Sequence, residues 1–440
     1  MNLETLRADA RACFAAALAA VDPERAVACA LARDGDALVL RGADGEALAR
    51  HAGPVLLVGA GKAVVSMASA ARTVAGASLR DGVVIAPHGR VARDLAPIGI
   101  RRAAHPVPDA AGVAATDEIV RLVEGARDDT LVVVLLSGGA SALLAAPAAG
   151  ISLADVQVLT AALLAAGADI AALNAIRKHC SRVTGGGLAR AAAGARGCWT
   201  LVLSDVVGDD LATIGSGPTV ADPTTFADAL AHLAALGVTP PPAVAAHLAA
   251  GAAGSVAETV KPGDPVVERV CVRLVAGNGD AVAGAADEAR RRGYAVTRWR
   301  EALRGDAAAA GRALGRALLA SSEPGRHAVV AGGETTVRAV SGGLGGRAQH
   351  LALAAADALA GAPAVLLAGG TDGVDGPTTA AGGCVDGETA TRLRTCGIDL
   401  ARALAATDSH RALAAAGDLV VTGPTGTNVA DVVVALREAK

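Results

Sequence analysis

Eight short apolar runs constrain this chain more than any other feature. They are PVLLVG (54–59), GVVIA (82–86), LVVVLLS (131–137), WTLVLSD (199–205), CVRLVAG (271–277), HAVVAGG (327–333), AVLLAGG (364–370) and DLVVTG (418–423). Most close on Gly, Ser or Asp, and an alanine-rich stretch of helical length follows. Runs that are apolar on both faces and spaced by helices read as central strands of parallel sheets. The class is therefore α/β with mainly parallel sheets. At 440 residues the chain exceeds one ordinary core and calls for two domains. The Pro240-Pro241-Pro242 run and Lys261-Pro262-Gly263-Asp264 place a change of domain nearby. We divide the chain into 1–235 and 236–440, with residues 1–50 able to pack on either part.

Composition removes several function classes. Only Phe14, Trp199, Phe226, Tyr294 and Trp299 are aromatic, and the net charge is −3. Base stacking and a polyanion footprint are both poorly supplied, so no nucleic-acid partner is expected. The seven cysteines are dispersed with no CxxC pair, which favours a reducing, cytoplasmic setting over a disulfide framework or zinc site. Glu4 and Asp9 stand among Arg7 and Arg11 ahead of a short apolar stretch, so the start reads as an amphipathic helix rather than a secretory signal. Residues 131–154 carry no charge, but Ser137, Gly138, Gly139, Pro147 and Gly150 break them into strand, loop and helix. No membrane partner is expected.

The unusual residues gather where strands end, the edge at which open α/β sheets bind ligands. In VGAGKAV (58–64), Gly59 and Gly61 let backbone approach an anion, and Lys62 adds a point charge for a phosphate. The loop is no Walker A, and the dinucleotide fingerprint fails twice: Val64 takes the third glycine position, and Ala86, Pro87 and His88 end the next strand without an acid. LLSGGASALL (135–144) offers Ser137, Gly138, Gly139 and Ser141 for capping or anion binding, without the GxSxG of a nucleophile elbow. Arg177, Lys178, His179 and Arg182 precede three glycines and read as an exposed helix face or as a cleft-facing turn in which Arg177 and Lys178 bind substrate or nucleotide. Asp205, Asp209 and Asp210 follow another strand, where carboxylates hold magnesium or cap a helix. Glu334 follows a strand end, Thr335 to Val340 read as an outgoing strand, and a glycine turn sets Arg347 at a helix start, where its fork can grip a carboxylate or phosphate. LAGGTDGVDGPTTAAGG (367–383) carries Asp372 and Asp375. VTGPTGTN (421–428) offers Thr425, Thr427 and Asn428 as uncharged donors for substrate or nucleotide, ahead of an expected helix.

Taken in order, VGAGKA (58–63), AHPVPDAAG (104–112), LLSGGASALL (135–144), NAIRKHCSRVTGGGLA (174–189), SDVVGDDLATIGSGPT (204–219), GGETTV (332–337), GGTDGVDGPT (369–378) and GDLVVTGPTGTNVAD (417–431) resemble the glycerate 2-kinases with a C-terminal MOFRL domain, a family often labelled hydroxypyruvate reductase. The resemblance spans nearly the whole chain, its MOFRL-like part over 327–436. It implies two α/β domains, the N-terminal one Rossmann-like, with the active site in the interdomain cleft. It implies ATP-dependent, magnesium-requiring phosphorylation of D-glycerate at the 2-hydroxyl. The family's functional lysine, arginine and GTDG aspartate fall on Lys62, Arg347 and Asp372. On this footing Lys62 and the glycine loops hold phosphate oxygens, and Asp205 or Asp209 with Glu334 holds magnesium. Arg347 binds the substrate carboxylate or stabilises the transferring group, and Asp372 or Asp375 orients the 2-hydroxyl or takes its proton. A homodimer is compatible with the sequence. Ala140, Gly187, Ala348 and His350 replace residues usual in the family, which leaves the exact hydroxy acid open. Rival readings are an NAD(P)H-dependent hydroxypyruvate reductase and a binding homologue that has lost catalysis.

Overall fold

The structure, a computed structural model, describes residues 2–89, 93–320 and 324–439. The chain forms two compact units. One comprises residues 23–204 and 209–275; the other comprises the chain up to Asp22, residues 205–208 and everything from Ala276. Helix α1 (Leu3–Ala20) opens the chain because Asn2 caps it, its Oδ1 accepting from the Thr5 N–H at 2.9 Å. Leu6, Ala10, Cys13, Phe14 and Ala17 recur on one face at helical spacing and are buried. That face packs on the C-terminal unit, so the first fifty residues divide: the helix goes with one unit, and an antiparallel three-stranded meander over 31–51 with the other.

The N-terminal unit is built on strands β1 (Val55–Ala60), β2 (Leu79–Pro87), β3 (Ile98–Ala103), β4 (Leu131–Leu136), β5 (Gly197–Leu203) and β6 (Val270–Ala276), in the spatial order 3-2-1-4-5-6. The four pairings from β3 to β5 are parallel. This is the doubly wound order, and its strand order reverses between β1 and β4. Helix α2 (Val64–Ala75) follows β1. Helices α3 (Leu153–Ala165), α4 (Ile170–His179) and α5 (Phe226–Leu236) build a satellite core from Leu159, Leu163, Ile176, Phe226 and Leu233, joined by Leu248 of the helix Pro242–Ala252. Full burial of a side chain such as Phe226 is worth roughly 2–3 kcal/mol. A division at 235/236 would cut this cluster and detach β6. The exchange between units instead falls at 275/276.

The C-terminal unit carries β7 (Ala295–Arg298), β8 (Gly325–Gly333), β9 (Ala364–Gly370), β10 (Gly382–Asp386), β11 (Leu419–Val420) and β12 (Asp431–Ala439), in the order 7-8-12-9-10-11. Here the expectation of mainly parallel pairing needs correction. Only β7–β8 is parallel; β8–β12, β12–β9, β9–β10 and β10–β11 are antiparallel. The physical reason lies in the two covered faces. Val329, Ala331, Leu366, Ala368, Val433 and Ala435 turn toward helices α7 (Ala307–Ala320) and α8 (Arg347–Ala358). The alternate residues Val330, Val365, Leu367 and Val434 are equally buried on the other face, where α1 and α6 (Asn278–Arg291) pack and Phe14 meets Gly369. A run apolar on both faces reports that helices cover both sides, whatever the strand direction. Two local expectations also fall. Residues 335–340 form an irregular segment with a single bridge from Thr336 to Asp306, and VTGPTGTN leads into β12, not into a helix.

Candidate active site

In the N-terminal unit the loops after β1 and β4 lie side by side at the point where strand order reverses. The Lys62 N–H donates to the Gly138 carbonyl at 2.8 Å, and the Ser137 N–H donates to the Ala60 carbonyl at 3.1 Å. Gly59 and Gly61 are both buried there. Gly61 has φ +138°, and a Cβ there would stand 2.1 Å from Ser137 Oγ, so only glycine permits this approach. Ser137 is 1% exposed, and its Oγ accepts from the Ala63 N–H at 3.0 Å. It therefore fixes the two loops to each other instead of facing a ligand. Gly138 is buried, and Gly139, at φ +86°, passes over the His105 ring. His105 is a neighbour of the loop that the sequence reading left without a role. Ser141, on the one-turn helix Ala140–Leu143, lies 3.0 Å from Ser216 Oγ.

The basic cluster of α4 separates into different roles. Lys178 is 5% exposed and bonds Asp222 at 3.2 Å. Burial would raise the Asp222 carboxyl, but Lys178 and the Thr224 and Thr259 hydroxyls hold it below its ordinary range. Lys178 is thus a structural ion pair, and its expected ligand role is withdrawn. His179 is buried, bonded to the Ala175 carbonyl and to Glu258, so the exposed-face reading fails for both residues. Arg177 is different. Its one hydrogen bond among the described residues runs from Nη2 to the Ser141 carbonyl at 3.2 Å, and burial lowers its pKa.

The C-terminal unit gathers its polar groups around Arg347 at the start of α8. The guanidinium grips Asp431 through Nε at 2.6 Å and Nη2 at 3.1 Å, and Nη1 reaches Glu334 at 2.6 Å. Three of its five N–H groups are thereby engaged. Asp431 was missed by sequence reading. Burial pushes its carboxyl up to about 6 despite the arginine, while Arg347, with burial opposing, is carried above its ordinary value by Asp431 and Glu334. Ala430 has φ +64°, a left-handed conformation costly for a residue with a Cβ. Thr371 and Asn278 hold that bend: Thr371 Oγ1 donates to the Ala430 carbonyl at 2.6 Å and accepts from the Val429 N–H, and Asn278 Nδ2 donates to the Val429 and Asp431 carbonyls.

Asp375 is 5% exposed, and its two oxygens accept from the Ala348 and Gln349 N–H groups at 3.1 and 2.8 Å. It caps α8 from a distance, which replaces the expected role at a hydroxyl. A Cβ on Gly346 would lie 2.2 Å from Asp375 Oδ1, so the glycine turn admits this cap. Asp372 is partly exposed, with Oδ1 accepting from the Val374 N–H at 3.1 Å. Thr425 Oγ1 donates to the Thr371 carbonyl at 2.5 Å and binds the two loops together. Thr427 is buried and donates to the Val21 carbonyl at 2.8 Å, a structural use that replaces its expected ligand role. Asn428 Nδ2 donates to Asp205 Oδ2 at 2.9 Å.

Among the described residues no three His, Cys, Asp or Glu side chains form a metal-holding group. The expected set of Asp205, Asp209 and Glu334 is therefore not a ready cage. Glu334 is held by Arg347, and Asp205 belongs to the C-terminal unit while Asp209 belongs to the other. Magnesium bound through nucleotide phosphates needs only one or two carboxylates and keeps waters. Asp209 fits that modest demand, since its buried Oδ1 has no hydrogen-bond partner. Of the residues that depart from the family's usual pattern, Ala140 and Ala348 are buried, Gly187 opens a short helix, and His350 is buried with Nδ1 unpartnered. No helix among the described residues is long and apolar enough to cross a membrane.

Comparison with known proteins fits this arrangement. Residues 9–249 match the family described as a domain of unknown function (DUF4147), and residues 327–431 match the MOFRL family. The chain is 39% identical over 432 residues to the glycerate 2-kinase of Pyrococcus horikoshii, covering 96% of each protein. It is 40% identical over 389 residues to the D-glycerate 2-kinase of Thermotoga maritima, covering 87% of this chain and 90% of the relative. A crystal structure of glycerate kinase from Thermotoga maritima superposes with a TM-score of 0.85 at 36% identity, over 99% of this chain and 100% of that one. A lysine loop at the switch point of a doubly wound sheet, an acid-held arginine at a helix start and end-to-end similarity converge: the chain belongs to the glycerate 2-kinase family.

Proposed function

We propose that the protein is an ATP-dependent kinase that phosphorylates the 2-hydroxyl of D-glycerate, giving 2-phosphoglycerate and ADP. One observation carries most weight: the Lys62 loop and the Ser137–Ser141 loop are hydrogen-bonded together at the strand-order reversal of the N-terminal sheet. That is where doubly wound sheets bind nucleotide phosphates. Phosphoryl transfer asks for positioning and charge neutralisation more than covalent chemistry. The Lys62 side chain holds phosphate oxygens; the Gly61 and Lys62 N–H groups are given to the Ile85 and Gly138 carbonyls, so Gly59 and Gly61 set the course of the loop and replace their expected role as phosphate donors. Asp209 would hold magnesium, with Asp205 or Glu334 as a further carboxylate, and the ion would supply neutralisation of phosphate charge. Arg347 keeps two N–H groups beyond its three engaged ones, enough to meet an oxygen of the transferring phosphoryl group. Asp372 orients the 2-hydroxyl and takes its proton, since the Asp375 oxygens are committed to α8.

A coupled assay tests the reading. Mg-ATP with D-glycerate is expected to release ADP, and hydroxypyruvate with NADH to leave absorbance unchanged. Oxidation of NADH without ADP release in the first assay would reverse the assignment.

A further inference from the structure

Two arginines of this chain sit in opposite electrostatic settings. Arg347 is already countered by Asp431 and Glu334. Arg177 has no acidic partner among the described residues, and only the Ser141 carbonyl accepts from it. A guanidinium partly withdrawn from water without a counter-ion favours the arrival of an anion. Arg177 lines a pocket with Ser141, Thr184 and Ser216, closed on the other side by Leu144, Leu153 and Val156. Thr184 is 6% exposed, and its Oγ1 has no hydrogen-bond partner. Behind Ser216, whose Oγ meets Asn174 Oδ1 at 3.2 Å, the buried Asn174 Nδ2 is likewise unpartnered. Buried polar atoms are normally satisfied, so this group points to a missing acceptor.

Size and charge select the class of acceptor. The cavity is about 40 Å³, room for a carboxylate-sized group and too small for a nucleotide. Arg177 is the single cation in its lining, which suits a monoanion. The planar fork of arginine matches a carboxylate with two parallel hydrogen bonds. Ser141 belongs to the same loop that bonds Lys62, so the pocket adjoins the proposed phosphate cradle.

We propose that this pocket of the N-terminal unit takes the carboxylate of the hydroxy-acid substrate, with Arg177 as its counter-ion and Thr184 as a second donor. The proposal rests on the kinase reading for the identity of the acid and moves the carboxylate from Arg347 to Arg177.

The test is calorimetric binding of D-glycerate and of its neutral amide, D-glyceramide, together with steady-state kinetics. Arg177→Met is expected to weaken D-glycerate binding and raise its KM by about 10- to 100-fold, the size of a lost hydrogen bond to a charged group. Its binding of D-glyceramide and its KM for ATP stay unchanged. Arg177→Lys retains charge without the fork, giving an intermediate loss and covering the case in which the methionine variant does not fold. Thr184→Val adds a smaller loss on D-glycerate alone. An unchanged D-glycerate KM in Arg177→Lys, or equal losses for acid and amide, overturns the proposal. So does a wild-type protein that does not bind D-glycerate. If instead the acid binds through Arg177 but no phosphoglycerate forms, the kinase reading fails and the pocket stands.

Discussion

Arg347 and Asp431 form the most consequential pair at the residue scale. Asp431 is buried with its carboxyl near 6, well above an ordinary aspartate. The folded protein therefore binds this proton more readily than the unfolded chain between about pH 4 and pH 6, and stability contributed by Asp431 is lost as pH rises through that window. Asp431→Asn should flatten that part of the stability curve and remove a matching inflection from the activity–pH profile; urea melts at several pH values check the first. Lys62 leads to a second expectation. Lys62→Met should lower kcat by about 100-fold or more while the thermal melt holds, the size of a lost transition-state charge contact. Lys62 and Arg347 were legible because glycines flank them at strand ends. Asp431 was not. It stands between Ala430 and a valine run and reads as a strand's polar edge; only the positive φ of Ala430 aims it at the arginine.

At the scale of elements, α8 shows what pattern reading can and cannot supply. Its start at Arg347 was expected from the glycine turn and is found there. Its cap comes from Asp375, well along the chain, and no local signal announces a cap at such separation. Asp375→Ala should cost about 1–3 kcal/mol, since two buried N–H groups lose their acceptor. Denaturant unfolding would measure it, with a loss in activity through a displaced Arg347. The strands teach a related lesson. Val365, Leu366, Leu367 and Ala368 are all fully buried, as their sequence requires, yet β9 is antiparallel to both neighbours. Apolar periodicity records which faces are covered and is silent on strand direction. The polar residues of VTGPTGTN were expected to bind a ligand, but Thr425 and Thr427 bond carbonyls of their own unit. A hydroxyl in a loop has the same sequence signature in either use.

Across the whole molecule, the two units are not successive halves of the chain. The segment up to Asp22 and the four residues 205–208 join the C-terminal unit, while residues 236–275 stay with the first because β6 completes its sheet. A proline run marks a change in local geometry, but a sheet closed by a late strand decides where a unit ends. The α/β class and the doubly wound order of the first sheet were within reach of sequence, since βα alternation leaves few topologies. Phosphoryl transfer to the 2-hydroxyl is what joins these residues into one function. Phosphorus NMR of the product formed from D-glycerate and Mg-ATP decides it: 2-phosphoglycerate is expected, whereas 3-phosphoglycerate, or no phosphorylated acid at all, rules the assignment out.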